Sequence, residues 1–372
     1  MKSRLTLPGS RRRKGRKTGS AAKAGLDLSL ALAASVMTAA MRLATPVAAP
    51  KAKAKSRSEK SPRRQTVKDD AARTPAAKSP YRTRFLSGTH VCQMGTRSYR
   101  ICLPALPPGE GPPAMLVMLH GCAQTAEDFA TGTRMNAWAA THGLIVLYPT
   151  QPRDAHANRC WNWFDGTQNA RGMGEAAILS SLVQAMRQKH GADPARVYIA
   201  GLSAGASMAL AMANAYPEIF AAVGVHSGLC TGAAKDQITA IAAMSRGNPG
   251  VRRQVPVPTI VFHGTLDQVV NPRNGRLVSI RAREPYDGLR LTETRGETLR
   301  GRAWTRSVFR RGSGPPLVEY WSVRGMGHAW SGGSPRGRFT DATGPDASRE
   351  MIRFFLRHRL SPRKRTLLAK GV

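Results

Sequence analysis

Ser203 stands in Gly201-Leu202-Ser203-Ala204-Gly205, between the apolar run Arg196-Val197-Tyr198-Ile199-Ala200 and the Ala/Met-rich run from Ser207 to Tyr216. A strand, a sharp turn and a helix in that order lift a serine hydroxyl onto a strained elbow above a sheet. The glycines on either side let strand and helix approach without a Cβ clash. Such a hydroxyl is a nucleophile once a base takes its proton, and the base needs a carboxylate to hold its tautomer. In an elbow of this kind the partners follow in the order serine, acid, histidine, each just past a strand. Asp267 follows Pro258-Thr259-Ile260-Val261-Phe262-His263-Gly264, a strand ending in a glycine turn, whereas Asp236 and Asp287 sit in stretches with no strand before them. His328, in Gly325-Met326-Gly327-His328-Ala329-Trp330, follows the strand-like Val318–Val323 late in the chain. His120 and His263 end strands beside glycine and read as turn-shaping, and His226 could line the site. Two backbone N–H groups must also face the developing oxyanion. Ala204, next after the serine, supplies one, and Cys122 in His120-Gly121-Cys122-Ala123-Gln124 fits the other.

These residues need a scaffold of alternating strands and helices. Met115–Leu119 and Leu144–Tyr148 are continuous apolar runs of buried-strand length, and Ser98–Leu103 alternates like an edge strand. Val197–Ala200, Ala221–Val225, Thr259–Phe262 and Val318–Val323 add further strands. Glu175–Lys189 has the apolar spacing of an amphipathic helix, and Ala347–Arg359 reads as a closing helix. The pattern predicts an α/β fold: a mostly parallel sheet with helices on both faces, in a single catalytic domain over 81–360. Residues 231–255 and 273–302 read as irregular loops or insertions that could form a lid. No internal repeat, P-loop or metal-ligand cluster stands out.

The net charge is +35 over 372 residues, unevenly spread. Residues 1–80 hold roughly 20 Lys/Arg against about four acids, with few aromatics, a composition that does not bury a core. This segment is expected to be largely disordered, and its basic runs could contact anionic surfaces. No aromatics interleave the charges, so no specific nucleic-acid binding is expected. Leu28–Met41 is too short to span a bilayer but fits the apolar core of a secretory signal, with a loose cleavage site near Val47-Ala48-Ala49. No other stretch reads as transmembrane. The tail 361–372 is basic and expected to be loose. The five cysteines form no C-x-x-C pair, which speaks against metal or thioredoxin-type chemistry.

Five blocks occur in order: His120-Gly121-Cys122-Ala123-Gln124, Cys160-Trp161-Asn162-Trp163-Phe164, Gly201-Leu202-Ser203-Ala204-Gly205, His263-Gly264-Thr265-Leu266-Asp267 and Gly327-His328-Ala329-Trp330. Over roughly 85–360 the chain thereby resembles the poly(3-hydroxybutyrate) depolymerase-like esterases, α/β-hydrolases related to feruloyl and acetylxylan esterases. The resemblance implies a Ser203, Asp267, His328 triad, oxyanion donors at Cys122 and Ala204, and no cofactor or metal. It further implies a Cys122–Cys160 disulfide, Trp161, Trp163 and Trp330 around the acyl pocket, and Gln124 as a substrate contact. Polymer depolymerases of this type carry a linker and a polymer-binding domain after the catalytic one. Here a short basic tail follows Leu360, so oligomers or small soluble esters are the expected substrates. Extracellular or periplasmic location is expected, with a cytoplasmic, granule-associated enzyme as the alternative. The rival functions are a feruloyl or acetylxylan esterase and, in another class, a basic protein that coats nucleic acid or an anionic granule. The sequence leaves the oligomeric state open.

Overall fold

The computed structural model describes residues 83–105, 111–253, 255–362 and 365–367. The basic segment 1–80, its signal-like run and most of the tail lie outside the described residues.

In chain order the elements are β1 (Arg84–Cys92), β2 (Gly95–Leu103), β3 (Met115–Leu119), α1 (Ala126–Thr133), α2 (Met135–Thr141), β4 (Ile145–Pro149), α3 (Gly166–Asn169), α4 (Gly174–Lys189), β5 (Val197–Leu202) and α5 (Ala204–Ala215). They continue as β6 (Ala222–His226), α6 (Gln237–Arg246), β7 (Thr259–Gly264), α7 (Arg273–Arg283), β8 (Leu289–Glu297), β9 (Ala303–Arg311), β10 (Pro316–Val323), β11 (Trp330–Ser331), β12 (Thr340–Asp341) and α8 (Ala347–Phe355). Ten strands form one sheet in the order β1-β2-β4-β3-β5-β6-β7-β10-β9-β8. The central run from β4 to β10 is parallel. Antiparallel hairpins flank it, β1–β2 against β4 and β8–β9 against β10. This is the α/β-hydrolase arrangement.

Every residue of β3, β4, β5, β6 and β7 is buried, which is why these strands read as continuous apolar runs. Leu116, Met118, Tyr198, Ala200, Phe262 and Trp321 share one face and cluster with Phe129 of α1, Met135 of α2 and Met351, Phe354 and Phe355 of α8. The alternate residues Val117, Ile199, Val223, Val225 and Val261 are buried as well, so both faces are covered. Burying each such side chain is worth about 1.5–3 kcal/mol. That sum holds the strand ends, and the loops leaving them, at fixed separations.

Three expectations need correction. Ser98–Leu103 lies in β2, which is not at the edge, because β1 pairs along its whole length from Arg84↔Leu103 to Cys92↔Gly95. The stretch 273–302 holds α7 and β8, and 231–255 holds α6. The pattern hid them for physical reasons. The buried stripe of α7 is Asn274, Gly275, Val278, Ser279 and Ala282, small or polar residues among arginines. As the terminal strand of the sheet, β8 buries neither face and so shows no alternation. The closing helix also ends at Phe355 rather than at Arg359.

Candidate active site

Ser203 links the end of β5 to the start of α5 with φ 57° and ψ −122°, a region that L-residues avoid. The turn is held from several sides. Ser203 N–H donates to His226 O at 2.9 Å. Ser207 Oγ donates to Ser203 O at 3.2 Å and accepts Leu229 N–H at 3.0 Å. A Cβ on Gly201 would come within 2.7 Å of Leu119 O, and one on Gly205 would collide with the Leu119 and His120 carbonyls. Only glycine at both positions lets the elbow close against β3. Ala204 opens α5, so its N–H has no intrahelical acceptor, and the positive end of the helix dipole points at Ser203.

Asp267 and His328 meet past the ends of β7 and β10. His328 Nδ1–H donates to Asp267 Oδ2 at 2.8 Å. The other carboxylate oxygen accepts the N–H groups of Val269 and Val270 at 3.0 and 2.8 Å. His263 Nε2 lies 3.3 Å from Oδ2 and bonds Val270 O at 2.8 Å. Burial opposes a charge on Asp267, but His328, His263 and these hydrogen bonds outweigh it and hold the carboxyl well below its ordinary range. Leu266 N–H bonds Met326 O at 3.0 Å, so the loops carrying Asp267 and His328 are stitched together. Ser203 and His328 are 4% and 5% exposed. Ser203 Oγ and His328 are not hydrogen-bonded to each other here, a looseness common where catalytic contacts tighten around substrate.

His226 does more than line the site. Its carbonyl accepts the Ser203 N–H, while its ring Nε2 accepts the Ser331 N–H at 3.0 Å. The ring stacks between Phe262 and Trp330, with centroids 5.7 and 4.9 Å away. Burial, aided by the charges of His263 and His328, pushes His226 far below its usual pKa, so Nε2 stays an acceptor. One residue thus joins the serine turn to the histidine loop. Its position after β6 was visible in the sequence, but its acceptor role was not.

The loop after β3 is braced tightly. Cys122 and Cys160 form the one disulfide among the described residues; Cys92, Cys102 and Cys230 are free thiols. Ala123 N–H donates to Asn158 O at 2.7 Å. His120 spans the turn, with Nδ1–H on Gly121 O at 2.8 Å and Nε2 accepting Gln151 N–H at 3.1 Å. Burial pushes His120 down to about 4, with the charges of Arg159 and Arg97 acting in the same sense. Behind the loop, the buried Glu175 carboxylate accepts Gln151 Nε2–H and the Asn162 N–H and Nδ2–H, and Arg97 Nη1–H reaches Gln151 Oε1 at 2.5 Å. No motif marked this network.

The expected substrate contacts are placed differently. Gln124 is 1% exposed; its Oε1 accepts Gly121 N–H, and its Nε2 donates to Asp128 and to Arg338 O. It braces the loop and leaves no donor for a substrate. Trp161 and Trp330 are 0% and 1% exposed, with indole N–H groups on His120 O and Ser348 Oγ. They form packed walls behind the loops rather than an open pocket lining, and Trp163 is buried too, against Phe164.

A strained serine at a helix N-terminus, a carboxylate–imidazole pair and a pinned Gly-Cys-Ala turn share the C-terminal edge of one sheet. The description Esterase PHB depolymerase belongs to a family whose model matches residues 97–283, half of the chain.

The chain belongs to this family. It is 33% identical over 264 residues to poly(3-hydroxyalkanoate) depolymerase C of Paucimonas lemoignei, spanning 64% of this chain and 61% of that protein. It is 30% identical over 238 residues to feruloyl esterase B of Neurospora crassa, spanning 58% and 78%. The acetyl xylan esterase from Aspergillus awamori superposes with a TM-score of 0.54 at 20% identity, over 66% of this chain and 94% of that one, and shares the fold. The family is one of carboxylic ester hydrolases. No described helix is long and apolar enough to cross a membrane.

Proposed function

We propose that this chain is a serine carboxylesterase that cleaves short hydroxyalkanoate-type esters or polyhydroxybutyrate oligomers through an acyl-enzyme. The observation that carries this reading is the strained Ser203 turn on the same sheet edge as the 2.8 Å Asp267–His328 pair. Ser203 Oγ attacks the ester carbonyl carbon while His328 Nε2 takes its proton. Asp267 holds the imidazole with Nδ1–H toward itself and balances the imidazolium. The oxyanion receives the N–H groups of Cys122 and Ala204, each worth about 3–4 kcal/mol of barrier. His328 then protonates the departing alkoxide. A water, deprotonated by His328, attacks the acyl carbon and releases the acid and Ser203.

Residues 81–360 form the catalytic domain in this reading. The Cys122–Cys160 bond favours an oxidising compartment, hence export. The match to a feruloyl esterase over most of that protein's length favours one second reading, an aryl-acyl esterase of plant polysaccharide. The test is hydrolysis of p-nitrophenyl butyrate by the wild-type chain and by Ser203→Ala. Activity lost with an unchanged circular dichroism spectrum supports the assignment, and retained turnover refutes it. Ethyl ferulate turned over far faster than hydroxybutyrate oligomers would select the second reading.

A further inference from the structure

The tip of the loop after β3 is exposed, and arginines flank it on both sides. Ala123 follows Cys122, and its side chain faces solvent. On one side its carbonyl accepts the Arg338 guanidinium, and on the other its N–H bonds Asn158, the residue before Arg159. Arg338 lies between β11 and β12, and its main chain is fixed to this loop through Arg338 N–H on Asp128 Oδ1 at 3.0 Å and Gln124 Nε2–H on Arg338 O at 3.1 Å. Its side chain nevertheless keeps 56% of its surface exposed. Its one carboxylate neighbour among the described residues, Asp128, is 3.7 Å from Nε and is already bonded to the Gln124 amide and the Arg338 N–H. Arg159 has a buried Nε with no hydrogen-bond partner among the described residues. Asp128 is thus only a weak counter-charge for Arg338, and no ion pair neutralises Arg159 among the described residues, which leaves this rim positive.

We propose that Arg338, with Arg159 across the loop, receives a free carboxylate on the leaving-alcohol side of the substrate, so that the preferred esters are short hydroxy-acid oligomers rather than neutral acyl-polysaccharide esters. This rests on the esterase reading above and names its substrate class. Covalent geometry places the Arg338 guanidinium within roughly 10 Å of the Cys122 N–H, since it touches the carbonyl of the next residue. A hydroxyalkanoate dimer has its carboxylate a few bonds beyond the scissile carbonyl, within that span. Arginine suits the task, because its planar fork pairs both oxygens of a carboxylate. Acetyl and feruloyl esters of a neutral sugar offer no such group.

The test compares a 3-hydroxybutyrate dimer ending in a carboxylate with the same dimer ending in a carboxamide. The readout is the ratio of their kcat/KM values. The wild-type chain should prefer the carboxylate by roughly five- to tenfold, expressed in KM, as expected for a partly exposed charge pair. Arg338→Gln removes the guanidinium charge and should bring the ratio close to one. Arg338→Lys should retain a preference that fades with added salt. A wild-type ratio near one overturns the proposal, even if no variant folds. So does an equal loss on both dimers in Arg338→Gln, which would make Arg338 a loop brace only. A wild-type chain inactive on p-nitrophenyl butyrate as well would instead overturn the esterase reading.

Discussion

At the scale of single residues, the backbone strain at Ser203 is the feature with the most direct use. A non-glycine residue at φ 57° costs on the order of 1–3 kcal/mol, and the His226 carbonyl and Ser207 hydroxyl hold it there. The strained turn sets Ser203 between the end of β5 and the start of α5, next to the Ala204 N–H, which has no intrahelical acceptor. Asp267→Asn should lower kcat by about 10³–10⁴-fold, because an amide no longer enforces the Nδ1–H tautomer of His328. Steady-state kinetics on p-nitrophenyl butyrate would check this, and a loss below tenfold would remove Asp267 from the mechanism. His226→Phe should keep the stacking on Trp330 but strand the buried Ser331 N–H, a penalty of about 1–3 kcal/mol. If His226 positions the histidine loop, kcat should fall with KM nearly constant, and His226→Gln, which restores an acceptor, should recover part of it. An equal rise in KM would point to a general loss of structure.

At the scale of elements, the loop after β3 and the loop after β4 act as one braced unit. Their disulfide closes a segment of sequence separation 38, for which chain-entropy arguments give about 4 kcal/mol of stability. Cys160→Ser should therefore lower the melting temperature and also kcat, since Cys122 N–H sits on the freed loop. Unchanged kcat would show that Gln124 and His120 hold the turn unaided. Acid should loosen the same unit. His120 titrates at about 4 when folded against 6.5 when free, so the unfolded chain takes up a proton that the folded chain refuses. That stability is whole above about pH 6.5 and is lost as pH falls toward 4, on the order of 3 kcal/mol. His226 acts with the same sign. The Tm should fall steadily over that window, and a flat Tm would contradict the account. The sequence showed those elements whose burial is complete. β3, β5 and β7 announce themselves as apolar runs, and Ser203 and Asp267 could be placed behind them. α7 and β8 escaped because one buries small polar residues and the other buries nothing. Gln124 and Trp330 were readable as present near the site, but only packing reveals that their polar groups are spent on the scaffold.

At the scale of the whole molecule, the sheet is the instrument and the charge is a separate matter. Parallel strands β5, β7 and β10 bring Ser203, Asp267 and His328 to one edge, because a parallel sheet gathers the loops after its strands on the same side. Residues 1–80, with roughly 20 Lys/Arg against about four acids, lie outside the described residues. Removing residues 1–80 should leave kcat/KM on p-nitrophenyl butyrate within about twofold, while salt-dependent retention on an anionic resin drops. A collapse of turnover would mean that the segment completes the site. The central claim is that Ser203 is the nucleophile, and active-site titration with diethyl p-nitrophenyl phosphate tests it most directly. The account predicts one p-nitrophenolate released per chain, loss of esterase activity in step, and a diethylphosphoryl adduct on the peptide carrying Ser203. An adduct on another residue, or hydrolysis that continues after Ser203 is blocked, would contradict it.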